Sequence, residues 1–599
     1  MEHKTFDIPS REKYAKSKDS MGGNTGMEKN AAMLNRLTLA DGAREDNRKR
    51  LFLLPTRVVW QTENVSGSEA LLEDRPVQIA LDVKNSCTLD NRGEVASILL
   101  DFGQELHGGL LFSVFSVNGG EEAKLRIRFG ESVAEAMSEP GGETNATNDH
   151  ACRDMIVTVQ RLSMNPVGET GFRFVRIDLL TPGVSVSLQN VNAVLIYRDI
   201  PYLGSFRCSD PQLGRIWDVA AYTVHLCMQH YIWDGIKRDR LVWIGDLHPE
   251  IQAIFAVFGD QPIIRESLDY AVAQTPKGAW MNGISAYSMW WILIQHDYFL
   301  QYGDKDYLRQ QLPFLKEVCG LLSGYIGEDG KDMTPEMRFV DWPTQGNPRA
   351  VDVGVQSLHV LAARCARRLF LEMDEKAEAE KCDADLRKLL AWPVPMADAK
   401  QANALAVWAE LLDAEKVNRE SLARGGAEGL STFMGYYILK ARAEAGDVSG
   451  ALDTLREYWG GMLKLGATTF WEDFDIRWLE NAAPIDRFPQ PGEVDVHATY
   501  GNFCYKGLRH SLCHGWSAGV AAWLSRYVLG VAVLEPGCRR LRIAPNLCNL
   551  EWVEGSYPTP AGVVRLKHIR VPQGIRTLIH VPDGIAVEFA PGVIPEFVS

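Results

Sequence analysis

The densest group of chemically active side chains in this sequence lies between Trp233 and Asp246, in the run WDGIKRDRLVWIGD. This run holds three carboxylates, three basic groups and two indoles. Its polar and apolar residues follow neither a helical nor an alternating period, so we predict a loop. Apolar residues at helical spacing precede it between Asp210 and Cys227, which places the loop at the end of a helix. Loops at the ends of helices commonly carry functional groups.

Carboxylates, an arginine and indoles in one loop suit a sugar better than a phosphate or a metal ion. A sugar needs hydrogen-bonding partners for its hydroxyls and a flat apolar surface for its C–H faces. Its hydrolysis also needs a carboxyl group that delivers a proton to the leaving oxygen. The alternative is a structural loop that ordinary Arg–Asp pairs hold in place, and the run alone leaves that alternative open.

Length, charge and cysteine content exclude several classes of protein. The chain has 599 residues, of which 46% are hydrophobic and 23% charged, which indicates a folded protein of several domains. Its formal charge of −14 argues against a nucleic-acid partner. The 11 cysteines form no CxxC pair, so we expect reduced thiols. The sequence shows no apolar stretch for secretion or membrane insertion, and we therefore expect a cytoplasmic protein without a membrane partner.

Hydrophobic periodicity divides the chain into four regions. Residues 1–50 form a polar extension with at most a short helix around Met27–Leu39, and we assign them no function. Residues 51–205 hold short β-rich runs without intervening helices, which predicts an N-terminal β-sandwich domain. Residues 206–535 carry apolar side chains at helical spacing, which predicts an antiparallel helical array or toroid. Residues 536–599 return to strand-like runs and predict a small C-terminal β domain.

The predicted helical region carries further aromatic and acidic residues in or near its loops. A single tryptophan usually fills a core, but several beside carboxylates at helix ends fit platforms for sugar rings. They are Trp280, Trp290, Trp291, Asp341, Trp342 and the run Thr468–Asp473.

A histidine-containing segment, Cys513–Ser517, precedes another predicted helix. Its histidine would satisfy backbone groups at the helix end. Neither a metal site nor a thiol nucleophile has the ligand spacing or the activating partner that it needs. We therefore expect no metal and no cofactor.

The order of these segments resembles the inverting α-L-rhamnosidase family of glycoside hydrolases. The resemblance covers about residues 50–599, and several separated segments in the same order are more specific than any one of them. The matching segments are LDFGQELHGG at 100–109, GFRFVRI at 171–177, DGIKRDRLVWIGD at 234–246, VDW at 340–342, TTFWEDFD at 468–475, CHGWSAG at 513–519, and EPGCRRLRIAPNL at 535–547 followed by TPAGVVRL at 559–566.

The resemblance implies a multidomain α and β fold, in which a catalytic (α/α)6 barrel lies between an N-terminal β-sandwich domain and a small C-terminal β domain. It also implies removal of terminal α-L-rhamnose from small rhamnosides or rhamno-oligosaccharides, with inversion at the anomeric carbon. Asp239 falls where the family keeps its general acid, and Glu472 falls at the general base. The substrate-binding positions of the family fall at Asp234, Arg238, Trp243, Asp246, Trp290, Trp342 and His514.

The acid loop departs from the family pattern. Many members carry glutamate as the acid in the longer form Asp-Cys-Pro-Gln-Arg-Asp-Glu-Arg, whereas this chain has Asp-Gly-Ile-Lys-Arg-Asp-Arg. Because aspartate is one methylene shorter, Asp239 must be held closer to the leaving oxygen, and Asp234 remains a competitor for the proton-donor role.

Two other functions stay open at this point. One is a different enzyme on the same barrel, such as an arabinosidase, an unsaturated-uronide hydrolase or a lyase, since a fold does not fix its chemistry. The other is a sugar-binding protein without catalysis. The aglycone and the oligomeric state, including a homodimer, are not set by the sequence.

Overall fold

The structure is a computed structural model that describes residues 46–81, 85–335 and 337–598. Nearly all of the extension 1–50, including the helix considered at Met27–Leu39, lies outside the described residues. The elements that follow belong to the unit Arg48–Ser599.

Strands come first along this unit, and nine of them share one sheet. Their bounds are β1 (Arg48–Leu53), β2 (Arg57–Gln61), β3 (Val65–Ser66), β4 (Cys87–Asp90), β5 (Ala96–Asn118), β6 (Glu122–Gly130), β7 (Asp154–Gln160), β8 (Ser163–Leu179) and β9 (Ser185–Arg198). The order is β3-β4-β9-β5-β8-β6-β7, with β1 on β9 and β2 on β5.

Strand β5 is the centre of this sheet. It pairs antiparallel with β2, β8 and β9, and its register with β8 shifts after Asp101 and again after Gly108. Such irregularities bend a strand and increase its local twist. The buried aliphatic and aromatic side chains of these strands form one core. A short helix, α1 (Val133–Met137), follows β6 and is capped by Ser132.

Helices occupy the middle of the chain. Their bounds are α2 (Pro211–Cys227), α3 (Ile244–Val257), α4 (Pro262–Gln274), α5 (Ser285–Tyr302), α6 (Lys305–Ser323), α7 (Pro348–Glu372), α8 (Lys376–Leu389), α9 (Lys400–Trp408), α10 (Ala414–Val417), α11 (Gly435–Glu444), α12 (Val448–Lys464), α13 (Val496–Thr499) and α14 (Val520–Trp523). Within the described ranges, no helix has both the length and the apolar character that a bilayer span requires.

Local signals explain where the longer helices begin. Asp210 accepts the backbone N–H of Gln212, and Pro211 occupies the first turn of α2. Asn347 and Asp447 cap α7 and α12 in the same way. Neighbouring helices pack in succession, α5 on α7, α7 on α9 and α9 on α11. Helix α3 also packs on α5, and their first turns meet where Tyr287 donates its hydroxyl to Asp246. The candidate site lies at this end of the helices.

The last strands make two further sheets around the helices. Their bounds are β10 (Ser205–Cys208), β11 (Ala482–Ala483), β12 (Val494–Asp495), β13 (Val531–Val533), β14 (Arg540–Ile543), β15 (Trp552–Thr559), β16 (Gly562–Val571), β17 (Gly574–His580), β18 (Ala586–Phe589) and β19 (Val593–Phe597). One sheet has the order β10-β15-β16-β17-β19 and the other β13-β14-β18, while β11 and β12 pair by themselves.

The strand β10 precedes the helices in sequence but pairs with β15, near the end of the chain. Strand β13 begins at Val531, ahead of the boundary at 536 that periodicity indicated. One continuous hydrophobic core also runs through the helices and these strands. The division into domains at 205/206 and 535/536 therefore stays a prediction.

Candidate active site

The charged run Trp233–Asp246 is a loop up to its last residues, which begin helix α3 at Ile244. The loop is closed on itself, because Asp234 exchanges hydrogen bonds with Leu241 through backbone and carboxylate at 3.0 and 2.9 Å. Gly235 lies against His514, and a side chain at this position would meet the His514 ring at 3.1 Å. Glycine therefore permits the close approach between the loop and the histidine-containing segment Cys513–Ser517.

A pocket of about 110 Å³ opens beside this loop. Eight of the nine residues that the resemblance placed in a site line it together, although they are far apart in sequence. They are Asp234, Arg238, Asp239, Trp243, Asp246, Trp342, Glu472 and His514.

The structure does not bring the ninth residue, Trp290, to this pocket. It is fully buried and does not line the pocket. Its ring packs against His248 and Tyr437, with centroids 4.9 and 5.0 Å away. The pocket is instead lined by Tyr287, three residues earlier on helix α5. Trp290 lies about one helical turn deeper, roughly 4.5 Å along the axis, and so falls below the floor of the pocket.

Glu472 is the most strongly held carboxylate of the pocket, with 3% of the residue exposed. Its Oε1 forms an ion pair with Nη2 of Arg238, and its Oε2 accepts the backbone N–H of Ser511 at 3.0 Å. Burial alone would raise the pKa of Glu472, but Arg238, His514 and His510 outweigh burial and lower this pKa to about 2. Glu472 is therefore ionised at any ordinary working pH.

Asp239 lies across Arg238 from Glu472. Its Oδ1 is 3.2 Å from Nη1 of Arg238 and 3.4 Å from Nδ1 of His150, while its Oδ2 accepts the indole N–H of Trp243 at 3.2 Å. The Asp239 side chain is 21% exposed, against 3% for that of Glu472. Asp239 is thus the carboxylate that an approaching ligand can reach most directly.

The remaining two carboxylates are buried around His514. Nε2 of His514 is 3.1 Å from Asp246 Oδ1, and Tyr287 donates its hydroxyl to Asp246 Oδ2 at 3.1 Å. Burial raises the pKa of Asp234 well above its usual range, with Asp246 and Asp239 adding to the rise against the opposing effect of His514. Burial also raises the pKa of Asp246. Burial therefore favours the protonated form of both carboxyl groups.

A buried group behind the loop has the donor atoms of a metal site. Carboxylates of Glu131 and Glu135 and the ring of His497 offer ligand atoms within 4.8 Å of one another. However, the ammonium of Lys237 lies 3.0 Å from Glu131 and 3.2 Å from Glu135, and so supplies a positive charge between them. Both ring nitrogens of His497 are hydrogen-bonded, one to a serine hydroxyl and one to the carbonyl of His510. The group ties the loop to the segment around His510 rather than offering open ligands.

Several pocket residues were not predicted from the sequence. Tyr287, Tyr505 and Trp516 line the pocket with Ile284, Met337 and Phe339. Trp516 lies within the segment CHGWSAG, two residues after His514, so that segment did contain the signal for it. His150 comes from the loop between α1 and β7, and nothing in its surrounding sequence marks it.

This pocket lies within the part of the chain that matches a known family. Residues 201–528 match the model of the bacterial alpha-L-rhamnosidase 6 hairpin glycosidase domain, and residues 530–590 match that of the bacterial alpha-L-rhamnosidase C-terminal domain. The chain belongs to the bacterial α-L-rhamnosidase family. The family resemblance stated from the sequence is thereby confirmed.

Individual relatives agree with the family. An alpha-L-rhamnosidase from Alteromonas sp. (strain LOR) is 23% identical over 549 residues, which cover 83% of this chain and 56% of the Alteromonas protein. The chain thus spans just over half the length of this relative.

Two solved structures show the same fold. A GH78 family rhamnosidase of Bacillus sp. GL1 has a TM-score of 0.70 at 21% identity, over 88% of this chain and 56% of its own. A rhamnosidase from Klebsiella oxytoca with rhamnose bound has a TM-score of 0.64 at 19% identity, over 80% of this chain and 96% of its own. The predicted fold, a six-hairpin helical barrel with β domains, is confirmed.

Proposed function

We propose that this protein is a glycoside hydrolase that removes terminal α-L-rhamnose from rhamnosides by inverting acid/base hydrolysis. The observation that carries the proposal is the pair Asp239 and Glu472, which line one pocket on either side of Arg238. Family membership supports the choice of sugar. Trp243, Trp342 and Trp516 supply the apolar walls that the C–H faces of a sugar ring need.

Glu472 is proposed as the general base. Its low pKa keeps it ionised, and one of its oxygens is fixed by the N–H of Ser511. An ionised carboxylate in this position can take a proton from a water molecule as that water attacks the anomeric carbon. In inverting enzymes the two carboxyl groups stand about 6.5–9.5 Å apart, so that the water fits between the base and the sugar. The Arg238 guanidinium contacts both carboxylates and so holds Asp239 and Glu472 apart, as such a separation requires.

Asp239 is proposed as the general acid, with Asp234 as the competitor. The Asp234 carboxyl is 3% exposed, and its Oδ1 already accepts the N–H of Leu241 at 2.9 Å. The Asp239 side chain is 21% exposed and faces the pocket, where a leaving oxygen can approach it. Asp234, Asp246 and His514 would instead bind ring hydroxyls.

The test is the anomeric form of the first product. The protein is mixed with 4-nitrophenyl α-L-rhamnoside, and proton NMR is recorded before mutarotation. We expect β-rhamnose to appear first, because water displaces the aglycone from the opposite face. Appearance of α-rhamnose first would contradict inversion. Cleavage of arabinosides or unsaturated uronides but not of rhamnosides would move the protein to the alternative enzyme class, and binding without any cleavage would make it a sugar-binding protein.

We also propose that the substrate is a small rhamnoside or rhamno-oligosaccharide, that hydrolysis needs no cofactor, and that the protein works in the cytoplasm. The location is supported by the cysteines, since ten of them within the described residues are free. Free thiols are usual in a reducing compartment.

A further inference from the structure

A second and larger cavity lies at the opposite end of the helices that carry the active site. Its volume is about 210 Å³, against about 110 Å³ for the active-site pocket. Helix α3 lines the active site with Asp246 and the second cavity with Ala256, and helix α5 does the same with Tyr287 and Gln301. At about 1.5 Å per residue, these pairs are roughly 15 and 21 Å apart along the helix axes. The second cavity is therefore distinct from the active site.

An aromatic layer separates the two cavities. Trp516 of the active site stacks on Phe433 with centroids 5.0 Å apart, and Phe433 contacts Trp290 at 6.3 Å. Trp290 in turn packs on His248 and Trp408, which line the second cavity. Trp290 thus belongs to the partition, and a ligand in the second cavity would not touch the catalytic carboxylates.

Asp297 is the acidic group of the second cavity. Its Oδ2 accepts a hydrogen bond from Gln252 Nε2 at 2.7 Å and lies 3.3 Å from His248 Nε2. Burial opposes ionisation, yet the adjacent rings of His248 and His296 hold the pKa of Asp297 below its usual range. His248 is 2% exposed, and its Nε2 makes no hydrogen bond of good geometry in spite of that 3.3 Å approach. A donor and an ionised acceptor therefore both border the cavity.

Two basic side chains stand over aromatic rings on the same cavity wall. The Lys440 ammonium is 5.1 Å from the centroid of Trp408 and is paired with Glu444, and the Arg526 guanidinium is 6.0 Å from that of Tyr527. Because Asp297 repels an anion, while Lys440 and Arg526 repel a cation, neither kind of ion finds a matched site. A hydroxyl group both donates and accepts hydrogen bonds, so it can pair with the acidic Asp297 and with the basic Lys440 or Arg526. The aromatic rings of the cavity suit the C–H faces of a sugar.

We propose that this cavity is a second carbohydrate site, which takes a neutral sugar of about monosaccharide size between Asp297, Gln252 and Arg526. The cavity exceeds in volume a pocket that itself must admit a sugar ring. The strands that carry Val533 and Tyr557 close its outer side, so the C-terminal β region takes part in the site. The size of the ligand rests on the sugar-binding function proposed above, whereas the binding test below needs no hydrolysis.

The test measures sugar binding by the full chain with Glu472→Gln, so that no substrate is consumed. L-Rhamnose, D-glucose, D-galactose, D-mannose, glucosamine and acetate are titrated one at a time by calorimetry. In a second series all of these except L-rhamnose are titrated again, with excess L-rhamnose present to occupy the active site. The cavity variants are Arg526→Met and Gln252→Leu. The matched control is Arg215→Met, an equally exposed arginine on helix α2 outside the cavity.

We expect at least one sugar to bind in both series. Arg526→Met should weaken this binding about tenfold or more, the usual worth of a hydrogen bond to a charged group, and Gln252→Leu should weaken it about two- to tenfold. Arg215→Met should leave it unchanged. Absence of binding at millimolar sugar, or binding that neither cavity variant weakens, would overturn the proposal. Preference for acetate or for glucosamine over the neutral sugars would overturn the class of ligand. The melting temperature of each variant shows whether it is folded. If Gln252→Leu destabilises the chain, Arg526→Met still tests the proposal, because Arg526 is exposed.

Discussion

Arg238 controls the ionisation of the proposed base, and its removal gives a measurable change in pH dependence. The pKa of Glu472 is about 2, against 4.5 for an ordinary glutamate. One pKa unit corresponds to about 1.36 kcal/mol, so the pocket favours ionised Glu472 by about 3 kcal/mol. Burial acts in the opposite direction, and Arg238 is the largest of the influences that lower this pKa. An adjacent opposite charge typically lowers the pKa of a carboxyl group by about 1–3 units.

We therefore expect Arg238→Met to raise the pKa of Glu472 by about 1–3 units. A general base works only when ionised, so kcat/KM falls as the pH drops through the pKa of Glu472. In the unmodified protein this loss should lie at very low pH. In Arg238→Met the acidic limb should move upward into the range where the protein is folded. The assay is kcat/KM for 4-nitrophenyl α-L-rhamnoside as a function of pH.

Arg487→Met is the matched control, because Arg487 also pairs with a glutamate, Glu493, at 2.6 Å, but outside the pocket. It should leave the pH profile unchanged. If Arg238→Met lowers kcat/KM by the same factor at every pH, Arg238 acts only in binding the sugar, and the electrostatic reasoning is refuted.

Five further substitutions test the assigned residues. Glu472→Gln should lower turnover by roughly 10²–10⁴-fold and leave rhamnose binding, measured by calorimetry, much less affected; near-full activity would remove Glu472 as the base. Asp239→Asn should lose more activity on rhamnosides with poor leaving groups than on nitrophenyl rhamnosides, and the same signature in Asp234→Asn instead would move the acid role there. Trp290→Ala should cost about 3–5 kcal/mol of stability in denaturant unfolding because a buried indole is lost. Trp342→Ala should instead raise KM with little loss of stability, and the opposite pattern would restore Trp290 as the substrate residue.

The general architecture could be predicted because hydrophobic periodicity differs between strands and helices. The partners of isolated strands could not be predicted in the same way. Strand β10 shows only four residues of strand pattern, and its partner β15 lies more than three hundred residues later in the chain. Pairing of this kind depends on the completed helical layer that brings both strands together, and local sequence does not encode it.

Most of the pocket could be predicted from family segments, because each segment carries its own loop to the same end of the barrel. Trp290, the one predicted residue that lies outside the pocket, shows the limit of such transfer. Tyr287 and Trp290 share a helix and are three residues apart, so a small change in alignment exchanges them. Only the depth of each side chain along helix α5 separates a pocket residue from a core residue. His150 was missed for a different reason, since it reaches Asp239 from the sheet region.

The contacts from that region help to explain how the proposed acid, Asp239, is positioned although its side chain and its loop are short. Asp239 and Arg240 both have left-handed backbone conformations, with φ of 56° and 55°. Such conformations cost about 1–3 kcal/mol each in residues other than glycine, and they persist only where the surroundings impose them. Here Arg240 donates to the carbonyls of His150 and Glu169 at 2.7 and 3.2 Å. The N-terminal sheet thereby holds the turn that presents Asp239 to the pocket, and the position of the backbone can make up for the missing methylene. The loop that carries the proposed acid is thus completed by residues outside the helical barrel.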